Sequence, residues 1–200
     1  RLAPLKIYAL DRVYENASCV ERMERILRAI GRSPAEVGRI TEANLGEVIR
    51  ELTTLWPPAN VPQGQVRTFL RPLVFTIIDL AWDRKDLTPL LRRCPAGTPP
   101  EVAVSIYGQW TTAIDQHPHS LDRRNNCVCW PTYNFGTMRG CPHGCLYCGA
   151  GRSGKFIAIG LNLEEYMAKV VAPVIEANPW NRVFRMILDG ADLVTFEPEY

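Results

Sequence analysis

The sequence predicts an α/β protein: an N-terminal α/β domain with proline-rich connectors over residues 1–126, then the first β/α units of a parallel barrel over 127–200. Three observations predict it. Short apolar runs alternate with amphipathic stretches from the start of the chain. Residues 115–126, Asp-Gln-His-Pro-His-Ser-Leu-Asp-Arg-Arg-Asn-Asn, are polar and unpatterned, which places a boundary there. Beyond it come an apolar strand, a glycine-rich cysteine loop, a capped helix and a second strand, in that order.

The N-terminal elements follow from local pattern. Leu5–Leu10 is a short apolar strand, and Ser18 opens a helix with a capping box to Glu21. Val20, Met23, Ile26, Leu27 and Ile30 recur at helical spacing until Gly31 ends the run. Ser33-Pro34-Ala35-Glu36 is a second helix start, with proline at the first helical position. Asn44 and Glu47 begin a further helix, with Leu45, Val48, Ile49 and Leu52 on its apolar face and an end before Pro57-Pro58. After the connector 57–64, the run Leu73–Leu80 is apolar enough for a buried strand or helix, and periodicity does not separate the two. Pro89–Pro100 reads as an extended loop, and the alternation of Glu101–Tyr107 predicts a strand.

Composition excludes a few classes. The chain is 46% hydrophobic and 22% charged with net charge +2, and it has no apolar run of the ~20 residues that a membrane span needs. Basic residues are 19 Arg to 4 Lys, and the weak positive balance neither demands nor excludes nucleic acid, which shows better as a clustered basic face. Arg92-Arg93 and Arg123-Arg124 read as solvated loop charges. Seven cysteines, an odd number, without an apolar leader at the start of this sequence, fit reduced cytoplasmic thiols better than disulfides. A helix N-terminus can lower the pKa of Cys19, but an inert packing thiol is the expectation there and at Cys94. The pair His117 and His119 reads as solvated.

In the second segment, Tyr133–Met138 is a strand, and the cysteine loop is expected to leave its C-terminal end, where β/α barrels hold their active sites. Asn162 with Glu165 caps the next helix, whose inward stripe is Leu163, Tyr166, Met167, Val170, Val171 and Val174, with a kink expected at Pro173. The strand Val183–Leu188 ends in Asp189-Gly190-Ala191-Asp192, where two carboxylates are placed to bind polar groups of a cofactor or substrate.

The chemistry lies in Cys141-Pro-His-Gly-Cys145-Leu-Tyr-Cys148. Three thiolates this close can hold one face of a 4Fe-4S cube and leave the fourth iron open to a non-protein ligand. The alternative is a zinc-stabilised, non-enzymatic binding module. His143 is poorly spaced to close a tetrahedron, whereas Cys127 and Cys129 would serve better; the same pair could instead belong to an auxiliary cluster. Gly149–Lys155 lacks the phosphate-loop arrangement, since Phe156 follows the lysine.

The spacing Cys-x3-Cys-x2-Cys, with Tyr147 before the last cysteine, is similar to the signature of the radical S-adenosylmethionine (SAM) enzymes. Residues from about Tyr133 to Pro198 resemble the spore photoproduct lyase family in particular, and a looser similarity reaches Ile7–Ile30. The resemblance implies a 4Fe-4S cluster on Cys141, Cys145 and Cys148, with SAM on the open iron and Tyr147 near its adenine. It also implies an electron donor such as flavodoxin or ferredoxin, DNA as a candidate substrate, and a barrel of about six β/α units. The chain begins at Arg1 and stops roughly fifty residues past the motif, so at most the first two of those units are expected here. One departure stands out. Asp189 falls where the family's hydrogen-donating cysteine is expected, and a carboxylate cannot give up a hydrogen atom to a carbon radical as a thiol does. The resemblance therefore implies a lyase-like radical SAM protein with an unassigned substrate.

Overall fold

The computed structural model describes residues 5–54, 71–80, 86–108, 133–135, 137–140, 156–177, 179 and 184–186. Its centre is a five-stranded sheet in the order β2-β1-β3-β6-β5, made of β1 (Ile7–Leu10), β2 (Val37–Ile40), β3 (Leu73–Thr76), β5 (Met138–Arg139) and β6 (Ile157–Gly160). The first four strands in that order run parallel, and β5 closes the edge antiparallel to β6. Every residue of β1, β3 and β6 is buried, so both faces of the sheet are covered, as parallel sheets require. The chain is α/β, as predicted.

Local sequence accounts for most of the first half. α1 (Ala17–Ala29) buries Cys19, Met23, Ile26 and Leu27, and Gly31 at φ +68° ends it while Arg32 N–H returns to Leu27 O at 2.8 Å. Its cap is Asn16 and not Ser18. Asn16 Oδ1 accepts from Ser18 N–H at 3.0 Å and from the Ser18 hydroxyl at 2.8 Å, so that hydroxyl is already engaged as a donor. The helix start expected at Ser33 makes a capping box with Glu36, yet it carries only the 3₁₀ turn Pro34–Glu36 before the chain extends into β2. α2 (Leu45–Thr54) buries Leu45, Val48, Ile49 and Leu52, the apolar face that spacing predicted. Each such side chain contributes about 1.5–3 kcal/mol of burial.

Two elements differ from expectation. The segment predicted as a strand at Glu101–Tyr107 is helical: α4 (Pro100–Ala103) starts with Val102 and Ala103 N–H groups on Pro99 O and continues as a π-helical turn, Val104–Gly108. Residues 102–107 are all buried, so their alternation recorded no exposed face. Within the expected loop Pro89–Pro100, the helical turn α3 (Thr88–Leu91) forms because Asp86 Oδ1 accepts from Thr88 N–H and Pro89 sits in its first turn.

β4 (Tyr133–Phe135) pairs in parallel with β7 (Phe184–Met186), forming a separate two-stranded sheet. The predicted strand Tyr133–Met138 is therefore divided: its first part joins β7, while Met138 belongs to β5 in the large sheet. Between β6 and β7 lie α5 (Leu163–Tyr166), a π-helical turn (Met167–Val171) and α6 (Ala172–Ala177). Tyr166, Val171 and Val174 pack inward, whereas Met167, placed in the inward stripe by spacing, is 46% exposed because the π turn rotates the register. That turn runs up to the missing N–H of Pro173. The expected boundary at 126/127 falls outside the described residues, and the large sheet draws strands from both sides of it.

Candidate functional site

Cys141, Cys145, Cys148, Tyr147, Asp189 and Asp192 lie outside the described residues, as do His117, His119, Cys127, Cys129, His143 and the segment Gly149–Lys155. The structure describes the frame on either side of the cysteine-bearing segment 141–155. β5 leads into it and β6 leads out of it, with Met138 opposite Ile159 and Arg139 opposite Ala158. At the neck, Gly140 adopts φ +85°, and a Cβ there would meet Phe156 O at 2.6 Å. The two ends of the segment are thus in backbone contact.

That neck is fastened to the middle of the sheet. At the neck Ile157 N–H donates to Pro72 O at 2.8 Å, and at the far end of β6 Gly160 N–H donates to Thr137 O at 2.7 Å and Leu161 N–H to Thr76 O at 2.9 Å. Because β5 is antiparallel to β6, segment 141–155 departs from the end of the large sheet at which β1, β3 and β6 begin. The segment follows the carboxyl end of a strand, but that strand is the antiparallel edge β5 and not a parallel barrel strand. The pairing of β5 with β6 is non-local, and the strand's own residues do not encode it.

The exit from β6 is held by two groups that local pattern did not reveal. Asn162, 3% exposed, makes no capping bond. Its Oδ1 accepts from Ile78 N–H at 2.8 Å, and its amide donates to Ile78 O at 3.1 Å and Glu165 Oε2 at 3.0 Å. The side chain acts as one residue of extended backbone paired to the end of β3. Arg22 of α1, 7% exposed, donates to Leu161 O at 2.6 Å and to both carboxylate oxygens of Glu164, at 2.5 and 3.2 Å. These bonds from Arg22 hold the Glu164 carboxyl below the usual range. The signal for Arg22 was present in the sequence, because an arginine stands between Cys19 and Met23 on the buried face of α1.

At the same end as Asn162 and opposite the neck, beyond the carboxyl ends of β1 and β3, charges pair with one another. Asp11 bonds Arg39, whose guanidinium lies 4.6 Å from the Tyr14 ring centroid. Arg93 lies 3.2 Å from Asp79 and 4.1 Å from the Tyr107 centroid.

Two described cysteines are free thiols. Burial pushes the Cys19 thiol up against the opposing pull of Arg22, and it does the same at Cys94 against Arg93. The helix N-terminus therefore does not activate Cys19, and both behave as packing groups. Among the described residues no group of three or more His, Cys, Asp or Glu side chains is arranged to hold a metal ion. No helix among them is long and apolar enough to cross a membrane. The three thiolates of the neighbouring segment form a donor set that fits an iron-sulfur cluster with one open iron, and the closed neck keeps that segment's ends together.

The chain is similar to solved structures of spore photoproduct lyase. Two substituted forms, one with bound AdoMet and dinucleoside spore photoproduct and one with dinucleoside spore photoproduct, each show 16% identity and a TM-score of 0.48. A further single-site variant shows 15% identity and a TM-score of 0.45. Each likeness covers 96% of this chain but only 41–42% of the other, so this chain spans less than half the length of those proteins. No family model matches the chain, and no curated protein matches it.

Proposed function

We propose that this chain carries the cluster-binding part of a radical SAM enzyme of the spore photoproduct lyase type, acting on an unassigned substrate for which DNA is the first candidate. The observation that carries the reading is the ligand set itself: Cys141, Cys145 and Cys148, one ligand short of four, with Tyr147 before the last. When bound, a 4Fe-4S cluster supplies the low-potential electron, on the order of −400 mV or below, for reductive cleavage of SAM to methionine and a 5′-deoxyadenosyl radical. The chain's own residues bind and orient. Three thiolates hold the metal, Tyr147 offers an aromatic face to the adenine, and Asp189 and Asp192, which follow β7 in sequence, bind polar groups of SAM or substrate. Asp189 does not donate a hydrogen atom, so the reaction need not end as it does in the lyase. A reduced compartment, the cytoplasm, and a donor of the flavodoxin or ferredoxin class complete the requirement.

The test is anaerobic reconstitution of the full-length protein followed by electron paramagnetic resonance of the dithionite-reduced sample with and without SAM. A 4Fe-4S signal that shifts with SAM and disappears in Cys145→Ala is expected. Tight zinc with no SAM-sensitive signal would overturn the reading in favour of a zinc-stabilised binding module.

A further inference from the structure

We infer that Gly140 is a positioning residue for the thiolate set: by meeting the Phe156 main chain it fixes the point from which Cys141 departs. The inference rests on the reading that Cys141, Cys145 and Cys148 bind metal. Gly140 satisfies two demands at once. Its φ of +85° is a conformation that a side chain rarely adopts, and its missing Cβ leaves room for Phe156 O at 2.6 Å, Ile157 Cα at 3.3 Å and Phe156 C at 3.4 Å. All three are main-chain atoms of Phe156 and Ile157, at the start of β6, where Ile157 pairs with Leu73 of β3 and donates its N–H to Pro72 O, so they cannot turn aside as a side chain would. A Cβ at 140 must move Gly140 instead, and Cys141 is the next residue. Ligands are held in geometry by the structure behind them, so displacement at the neck reaches the first thiolate directly.

Two other glycines separate positioning from fold maintenance. Gly97 also has positive φ, +82°, but nothing lies within 4 Å of its missing Cβ. Gly160, at the far end of β6, would drive a Cβ to within 2.3 Å of the Ile78 side chain and 3.0 Å of Thr137 O. Gly97→Ala therefore reports backbone conformation alone, and Gly160→Ala reports damage to the same hairpin away from the cysteines.

The experiment titrates cobalt(II) into the reduced, metal-free, full-length protein under anaerobic conditions and follows thiolate-to-cobalt charge-transfer absorption, with Cys145→Ala as the specificity control. Circular dichroism and urea midpoints are recorded for each variant. Gly140→Ala should bind cobalt at least about tenfold more weakly than wild type, whereas Gly97→Ala should match wild type. Gly160→Ala should lose stability and keep its cobalt affinity under conditions where it is folded. Wild-type affinity in Gly140→Ala, or weakening in Gly140→Ala and Gly160→Ala that tracks their loss of stability, overturns the positioning role and leaves the metal reading intact. Absence of any Cys145-dependent charge transfer in wild type overturns the metal reading and the inference with it. If Gly140→Ala does not fold, Gly140→Asn, which enters positive φ more readily but keeps the Cβ, takes its place; failure of both to fold assigns Gly140 a structural role and overturns the inference.

Discussion

Asn162→Ala should destabilise the protein by about 2–5 kcal/mol, well beyond the ~1 kcal/mol that losing an ordinary helix cap costs. The figure follows from what is stranded. Ile78 is 2% exposed, and both its N–H and its C=O are satisfied by the Asn162 amide, at 2.8 and 3.1 Å. Truncation removes both partners at once, and each stranded buried polar group costs about 1–3 kcal/mol, less whatever a water entering the small cavity recovers. The assay is urea unfolding followed by far-ultraviolet circular dichroism, with an unchanged m-value required for the comparison. In a chain of this size each kcal/mol lowers Tm by roughly 2–4 °C. Asn162→Asp sharpens the test. Its carboxylate still accepts from Ile78 N–H but cannot donate to Ile78 O, and it faces Glu165, so it should be no more stable than the alanine variant at pH 7 and should recover on acidification as the carboxyl regains a proton to donate. A loss of 1 kcal/mol or less in Asn162→Ala, or an Asn162→Asp stability that does not rise as pH falls, would refute the pseudo-strand role and reduce Asn162 to the helix cap its sequence context suggested.

The remaining predictions concern neighbouring groups. Arg22→Met should cost about 1.5–3 kcal/mol, because buried Leu161 O loses a charged donor, whereas Glu164→Gln should cost no more than about 0.5 kcal/mol, since Glu164 is largely in water; urea midpoints compare the two. The Glu164 carboxyl is depressed by Arg22, so its stabilisation is present above the ordinary carboxylate range and is lost as pH falls through its folded pKa; Arg22→Met should flatten that part of the acid limb in unfolding measured from pH 7 to pH 3. Burial, then the bond to Glu51, raises the Tyr8 phenol, so its contribution is complete below the ordinary phenol value and is lost as pH rises through the folded pKa; Tyr8→Phe should cost about 0.5–1.5 kcal/mol near pH 8 and show a shallower decline above about pH 10. Cys19 should react with a thiol reagent at pH 7.5 only on a timescale set by unfolding, whereas half-buried Cys94 should label faster, as peptide mapping after brief labelling of the native protein would check; rapid labelling of Cys19 would contradict its burial.

The candidate site's donor set is legible in the sequence alone, and little of the frame around it is. Donor type and spacing are covalent properties of Cys141–Cys148, so three thiolates with a place for a fourth ligand could be read without coordinates. The carboxylates at Asp189 and Asp192 were placed by strand order alone, and β7 forms within the predicted strand before them. Arg22 was overlooked because its partners lie beyond β6 in the chain, though its place on an apolar stripe was the clue. Asn162 was read as a cap because Asn with Glu three residues later is a cap pattern; a backbone segment from β3, far away in sequence, outcompeted the helix for its amide.

By itself the sequence determined what few neighbouring residues can encode: the 3.6-residue stripes of α1 and α2, the stop at Gly31, the helical start at Ser33-Pro34 and the spacing of the three cysteines. Tertiary structure decided what depends on a distant partner. It made a helix of 100–103, where alternation suggested a strand, because burial on all sides erases the pattern on which that reading depends. It also joined Ile157 to Leu73 and Met138 to Ile159, so that the cysteine segment is held at a neck of the N-terminal sheet. Strand pairing is a choice among many apolar runs of equal local merit, and the energy that selects one comes from burying both faces of the finished sheet.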